Sequence, residues 1–264
     1  MNFWDHAEAL RGVLIRVAAL LAVLTCVIFA AMPYIFDSVI LAPCHSDFIL
    51  YRWLGNLSGS GLLPESATGT FDVQLINIRL ASQFFIHMST SFWLAVVIGF
   101  PMCVYLLWGF VAPGLYEEEK RGVRAAFLFG NLMFFLGVAA GYFLVFPLTL
   151  RYLADYQLST MIPNQISLDS YMDNFLMLIL VMGIVFELPL MAWMVGKTGF
   201  LTRELFSAYR RHAIVVLLIL AAVITPTGDP FTLLVVFLPL YLLWELSAFA
   251  VPAKKTASGA VAGT

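Results

Sequence analysis

From Val13 to Phe36 the chain runs for 24 residues with one charged side chain, Arg16. A helix rises about 1.5 Å per residue, so this run can cross the roughly 30 Å hydrocarbon core of a bilayer. Runs of the same character follow at about 83–111, 125–150 and 171–195, with Pro101 inside the second run and Pro189 inside the fourth. Two shorter ones close the pattern. Ala213–Thr225 has 13 residues, and Phe231–Trp244, within a helix bounded at 231–251, has 14. Each short run gives roughly 20 Å of helix. A soluble domain is excluded, because 62% of the residues are hydrophobic and 11% charged, against roughly 45–50% and about 25% in soluble domains. The predicted fold class is all-α: a polytopic membrane protein with six transmembrane helices in a single domain over 1–251. Its last two helices form a short hairpin turned at Pro226, Gly228 and Pro230, expected to thin the lipid beside it. Residues 252–264 are Ala-, Gly- and Thr-rich and predict a disordered tail.

The first run is longer than the 7–15-residue apolar core of a signal peptide and is preceded by Asp5 and Glu8, which predicts a retained helix. Lys and Arg orient the crossings. Arg11, Arg16, Lys120, Arg121, Arg124, Lys197, Arg203, Arg210, Arg211, Lys254 and Lys255 fall on one side, and only Arg52, Arg79 and Arg151 on the other. Positive residues stay in the cytoplasm, so both termini are expected there. Catalytic and metal chemistry finds no footing. Gly196-Lys197-Thr198 imitates the end of a phosphate-binding loop, but Met191 stands where its first glycine belongs. The four histidines show no ligand spacing, and no basic cluster suits nucleic acid. His87, at the start of the second helix, reads as a packed interfacial histidine. Of the three cysteines, Cys26 and Cys103 fall in apolar runs and only Cys44 reads as exposed.

Certain segments carry more than hydropathy. Trp108-Gly-Phe-Val-Ala-Pro-Gly-Leu-Tyr116 ends the second helix at Pro113, and Glu117, Glu118 and Glu119 follow before Lys120 and Arg121. Acidic residues contribute little to topology, and a carboxylate cluster at the membrane surface suits arginines through bidentate bonds. The N-terminal stretch reads as an amphipathic lead-in helix with Asp5 and Glu8 on one face. Glu187, in Phe186-Glu-Leu-Pro189, lies deep in the fourth run, where a charge costs about 2.5–3.5 kcal/mol. It must face protein or water. Asp229, before Pro230, is placed to cap the last helix. Gly137–Gly141 is a small-residue spacing that favours close helix packing.

Taken in order, these segments resemble the TatC family, the multispanning receptor subunits of the twin-arginine protein translocase. The carriers are His6 with Leu10-Arg11, Leu41-Ala-Pro43, Trp108–Tyr116, Glu119-Lys-Arg121, Tyr142-Phe with Phe146-Pro147, Phe186–Pro189, and Leu205 with Arg210-Arg211 followed by Thr225-Pro226. The resemblance implies a concave bundle in the bacterial inner membrane, without enzyme activity or cofactor. Its cytoplasmic face binds twin-arginine signal peptides of folded proteins. TatA- and TatB-type single-span subunits, further copies of the chain and membrane lipid are the implied partners, and the proton-motive force drives export. Glu119 matches a signal-binding carboxylate, flanked by Lys120 and Arg121, and Phe110 a nearby recognition position. Leu10-Arg11 matches the N-terminal signature, Glu187 the buried polar residue of the fourth helix, and Pro43 the first outer loop. The signature has an acid directly before Leu-Arg. Here Ala9 stands there and Glu8 precedes it, so either Glu8 substitutes, or Asp5 and residues 117–119 carry more of the load. The rival reading is a proton-coupled secondary transporter with Glu187 as relay, for which the matched broken helices of internal repeats are not evident.

Overall fold

The computed structural model describes residues 3–58, 72–111, 117–159, 161, 164–197, 201–225 and 228–251; for 3–6, 56–58, 111 and 117–125 it describes the backbone alone. Pro113, Pro226 and the tail 252–264 lie outside the described residues. The chain forms two compact units that divide between Gly183 and Ile184.

In the first unit, α1 (Phe3–Ile35) is one continuous helix, so the lead-in segment and the first apolar run are a single element. Its 33 residues make about 50 Å, more than a bilayer core requires. A π-helical turn, Phe36–Ile40, and a 3-10 turn, Ala42–Cys44, follow it. The polar stretch that comes next contains α2 (Ile49–Ser58) and a two-residue strand, β1 (Leu75–Ile76). Then come α3 (Ser82–Val111), α4 (Glu117–Ala140), a π-helical turn at Gly141–Val145, and α5 (Phe146–Asp155). Strand β2 (Ile166–Ser167) leads into α6 (Leu168–Val185). β1 and β2 pair in parallel, Leu75 opposite Ile166.

Prolines explain where these helices break. Pro147 has no N–H to give the carbonyl four residues back, and the wider π turn just before it absorbs the mismatch. Pro189 does the same more sharply. The fourth apolar run is two helices, α6 and α7 (Leu188–Lys197), separated at Phe186 and Glu187. Pro33, Pro101 and Pro239 lie inside helices that continue past them.

The first unit's core concentrates at the end of the bundle away from the chain's start. Phe146, Tyr171 and Phe175 pack edge to face and stacked at 5.0–6.0 Å between centroids. Three tyrosine hydroxyls pin the turns after α1. Tyr142 donates to the Val39 carbonyl at 2.8 Å, Tyr171 to that of Ile40, and Tyr51 lies 3.1 Å from both the Pro43 and Pro147 carbonyls. Ser82 donates to the Asp169 carboxylate, tying the start of α3 to the start of α6. Cys44 was read as exposed; it is buried at 2% in this cluster, and Cys26 is the exposed cysteine, on α1. The reason is local. The Ala42–Cys44 turn is folded in under the tyrosines, whereas α1 offers a lipid-facing side to its apolar residues.

The second unit holds α7, α8 (Arg203–Ala208), α9 (Arg210–Ile224) and α10 (Pro230–Ala250). Of the two final helices, α9 is short as expected, and α10 keeps the expected bounds of 231–251 to within a residue, longer than its 14-residue apolar run. α9 has 15 residues, about 22 Å, but α10 has 21, about 31 Å. Glu245 pairs with Arg210, the first residue of α9, at 2.7 Å, and α10 continues beyond it to Ala250. There Ala192, Phe206 and Val251 form a small core, with Leu201, Trp244 and Ala248 against it. Of the last two helices, only α9 is shorter than a bilayer core. Among the described residues, five stretches are long and apolar enough to span a membrane; α9 is not among them.

Candidate functional site

The antiparallel register of α1, α3 and α4 decides which residues share an end of the first unit. On α1 and α3, Phe29 stacks on His87 at 3.8 Å, and His87 Nε2 donates to the Phe29 carbonyl at 2.9 Å. Further along, Gly99 faces Leu21 and Leu24. On α3 and α4, Phe100 stacks on Phe134 at 3.7 Å, and Tyr105 meets Phe127 at 6.3 Å. Continuing both pairings at about 1.5 Å per residue brings Phe110 level with roughly residues 6–13 of α1 and roughly 122–124 of α4. Phe110, Glu8, Arg11, Glu119, Lys120 and Arg121 thus share one end. Glu8 and Glu119 fall within about two helical turns of each other along the bundle axis.

The sequence sets this arrangement in two ways. Glu117, Glu118 and Glu119 occupy the first turn of α4, where unpaired backbone N–H groups and the helix dipole favour negative charge by about 0.3–1 kcal/mol each. Glu8 and Arg11 are exposed on α1, three residues apart and so on neighbouring faces.

Glu187 lies in the break between α6 and α7. Its N–H bonds to the Ile184 carbonyl at 3.0 Å, and its own carbonyl accepts from Met191 at 3.0 Å. Its Oε1 is buried with no hydrogen-bond partner among the described residues, inside the span Leu168–Lys197. Pro43 lies at the opposite end of α1 from Glu8, buried, its carbonyl held by Tyr51. Asp229 accepts from the Thr232 N–H at 2.7 Å and caps α10, with Pro230 opening the helix.

Sequence reasoning passed over the Arg210–Glu245 pair, to which Tyr241 adds a hydroxyl bond at 3.1 Å. Thirty-five residues separate the partners, so only the hairpin geometry reveals them. It also passed over α2, although Phe48, Leu50, Tyr51 and Leu54 supply a helical apolar pattern. Among the described residues no three His, Cys, Asp or Glu side chains gather to hold a metal ion.

Known proteins match this arrangement over most of its length. The family model "TatC: Sec-independent protein translocase protein (TatC)" matches residues 5–239. The Sec-independent protein translocase protein TatC of a Blattabacterium from Periplaneta americana is 32% identical over 94% of this chain and 94% of its own. That of Deinococcus radiodurans is 32% identical over 92% and 83%; that of Helicobacter pylori strain 26695 is 37% identical over 75% and 78%. A crystal structure of the twin-arginine translocase receptor TatC superposes with a TM-score of 0.70 at 28% identity, covering 93% of this chain and 97% of the other. The long apolar helices, the carboxylates opening α4 and these matches have one reading: this chain is a multi-pass membrane protein of the TatC family, a component of the Sec-independent protein translocase.

Proposed function

We propose that the chain is the receptor and core subunit of the twin-arginine translocase, binding the signal peptides of folded proteins at the cytoplasmic face. The observation that carries this is the shared end of Glu8, Arg11, Phe110 and Glu119, set by the helix register. Two guanidinium groups meet two carboxylate-bearing helices there. An exposed ion pair is worth about 0–1 kcal/mol, but a fork-shaped, partly desolvated bond reaches about 1.5–3 kcal/mol. Only a guanidinium offers that fork, so the patch prefers Arg to Lys. Phe110 gives the apolar part of the leader a surface at the same level. Lys120 and Arg121 discourage unrelated basic segments from settling on the glutamates.

The rest of the reading follows. The protein lies in the bacterial inner membrane with both termini cytoplasmic, residues 1–251 forming one six-helix domain and 252–264 a cytoplasmic tail. TatA- and TatB-type single-span subunits assemble on it, with Glu187 as a docking point for a polar residue of such a partner. Copies of the chain associate, and the proton-motive force drives export. Membership of a translocase family speaks against the proton-coupled transporter.

The test is export of a twin-arginine reporter and its twin-lysine mutant in cells whose own receptor is replaced by this chain. Wild type exports the first and not the second, and Glu119→Ala reduces both signal-peptide crosslinking and export at least tenfold. Unchanged crosslinking and export in Glu119→Ala reject the patch.

A further inference from the structure

We propose that α2 is an interfacial helix, with Ile49 and Trp53 set into the lipid leaflet at the end of the bundle away from the chain's start. The helix has two faces. Phe48, just ahead of it, and Leu50 and Tyr51 are buried. Ile49 and Trp53, one turn apart, are 66% and 59% exposed, and Arg52 is exposed beside them. At about 100° per residue these three share one stripe.

The contacts of the buried face fix the level of α2 in the bilayer. Residues 126–150 carry no charge, and Arg151 is the first charged residue after them. About twenty residues fill a hydrocarbon core of about 30 Å, so a core centred on this stretch ends near Leu148. The Phe48 ring lies 5.6 Å from that of Tyr142 and 6.0 Å from that of Phe143, and Phe143 is about 7 Å inside that edge. Tyr51 reaches the Pro147 carbonyl at 3.1 Å, and the Arg151 guanidinium sits 5.5 Å from the Tyr51 ring centroid. From Phe48 to Tyr51 the chain thus climbs from the hydrocarbon side of the edge to its charged side. Phe143 and Leu144 are exposed on the span at that layer, so lipid reaches the surface on which α2 lies.

The exposed stripe has the chemistry of the same layer. Trp settles where hydrocarbon meets headgroups, and an amphipathic helix lies there with its apolar side chains turned into the acyl boundary. Arg52 has no carboxylate within ion-pair distance among the described residues, and its long stem lets the guanidinium rise to the phosphates. Asp47, exposed just ahead of the helix, holds the first turn at the headgroup layer, since a carboxylate resists going deeper. In water, Ile49 and Trp53 would remain solvated apolar surface; in the leaflet that surface is removed from water.

The test is spin-label accessibility in the full-length protein, reconstituted into bilayers of phosphatidylethanolamine and phosphatidylglycerol. Cys26→Ala and Cys103→Ala remove the reachable thiols, and Cys44, 2% exposed, stays; this background takes up no label. Single cysteines from Ile49→Cys and Trp53→Cys are compared with Val23→Cys, exposed within the first span, and Gln157→Cys, exposed beyond α5. Molecular oxygen concentrates in hydrocarbon and a nickel chelate stays in water. The ratio of oxygen to nickel collisions at 49 is about fivefold that at 157 and approaches that at 23, and the ratio at 53, nearer the edge, is about twofold that at 157. Melts like that of the background establish the fold of each variant, and Ile49→Cys alone decides if Trp53→Cys melts early. A ratio at 49 equal to that at 157 places the stripe in water and overturns the proposal. Exclusion of both relaxants at 49 assigns the stripe to a second copy of the chain and also overturns it.

Discussion

Gly141→Ala is the sharpest test of the packing in the first unit. A Cβ added at Gly141 lies 2.9 Å from the Ile179 Cα, 3.3 Å from the Leu178 carbonyl oxygen and 3.3 Å from the Met182 Cβ. The first two are backbone atoms of α6 and cannot rotate aside. Relief requires the helices to separate, and overpacking of this kind costs about 1–3 kcal/mol. Ala returns about 1 kcal/mol through its better helix propensity. With a rigid obstacle the cost sits at the upper end, leaving a net loss of about 1–2 kcal/mol. Taking about 2–4 °C per kcal/mol for a chain of this size, the melting temperature in detergent falls by about 2–8 °C. Gly99→Ala is the internal control. Its Cβ also comes within 2.9 Å of a neighbour, but that neighbour is Leu24 Cδ1, the end of a flexible side chain. There the propensity gain dominates, and the melting temperature holds or rises by up to about 4 °C. The assay is thermal unfolding of both variants by circular dichroism in one detergent. A Gly141→Ala protein that melts at or above wild type, or a Gly99→Ala protein that loses as much, refutes the reasoning.

Other expectations are simpler. Asp229→Ala removes the carboxylate that holds the Thr232 N–H and lowers stability by about 1 kcal/mol, read in the same melt, while Asp229→Asn retains most of it. Tyr171→Phe strips the donor from the Ile40 carbonyl in a site where Tyr171 is 2% exposed; a buried acceptor left unpaired costs about 1–3 kcal/mol, again seen as a lower melting temperature. Arg210→Ala breaks a pair whose arginine is 54% exposed, so its effect stays below about 1 kcal/mol and disappears when melts are repeated in high salt.

How much of this was legible in the chain depends on what kind of signal each feature leaves. Apolar length was enough for the spans, because nothing else tolerates so many consecutive hydrophobic residues. The residues matching the family were legible as short motifs, and the comparisons bear out the family. Tertiary partners were less so. The bounds of the last helix were legible, 231–251 lying within a residue of the observed Pro230–Ala250, but not what packs on it: Arg210 reaches Glu245 and Phe206 covers Trp244. Those partners are remote in sequence, and no local window contains them. Cys44 failed for the same reason. A polar neighbourhood of Pro43, His45 and Ser46 suggested exposure, but Tyr171, more than a hundred residues on, lies over it.

The turn at Phe186–Glu187 joins two penalties that sequence alone could only count separately. Pro189 withholds the N–H that the Val185 carbonyl would otherwise accept, and inside a membrane a freed carbonyl needs protein or water as its partner. Glu187 makes the same demand for its carboxyl group, whose Oε1 is buried and unpaired among the described residues. A chain built only for stability would spread such demands or remove them, since Leu at 187 and Ala at 189 would give an unbroken apolar helix. Having both within three residues means that one polar neighbour, arriving as a side chain or as water, answers both. Two unmet polar demands so close together are the physical ground for the proposal that a polar partner residue docks at this break.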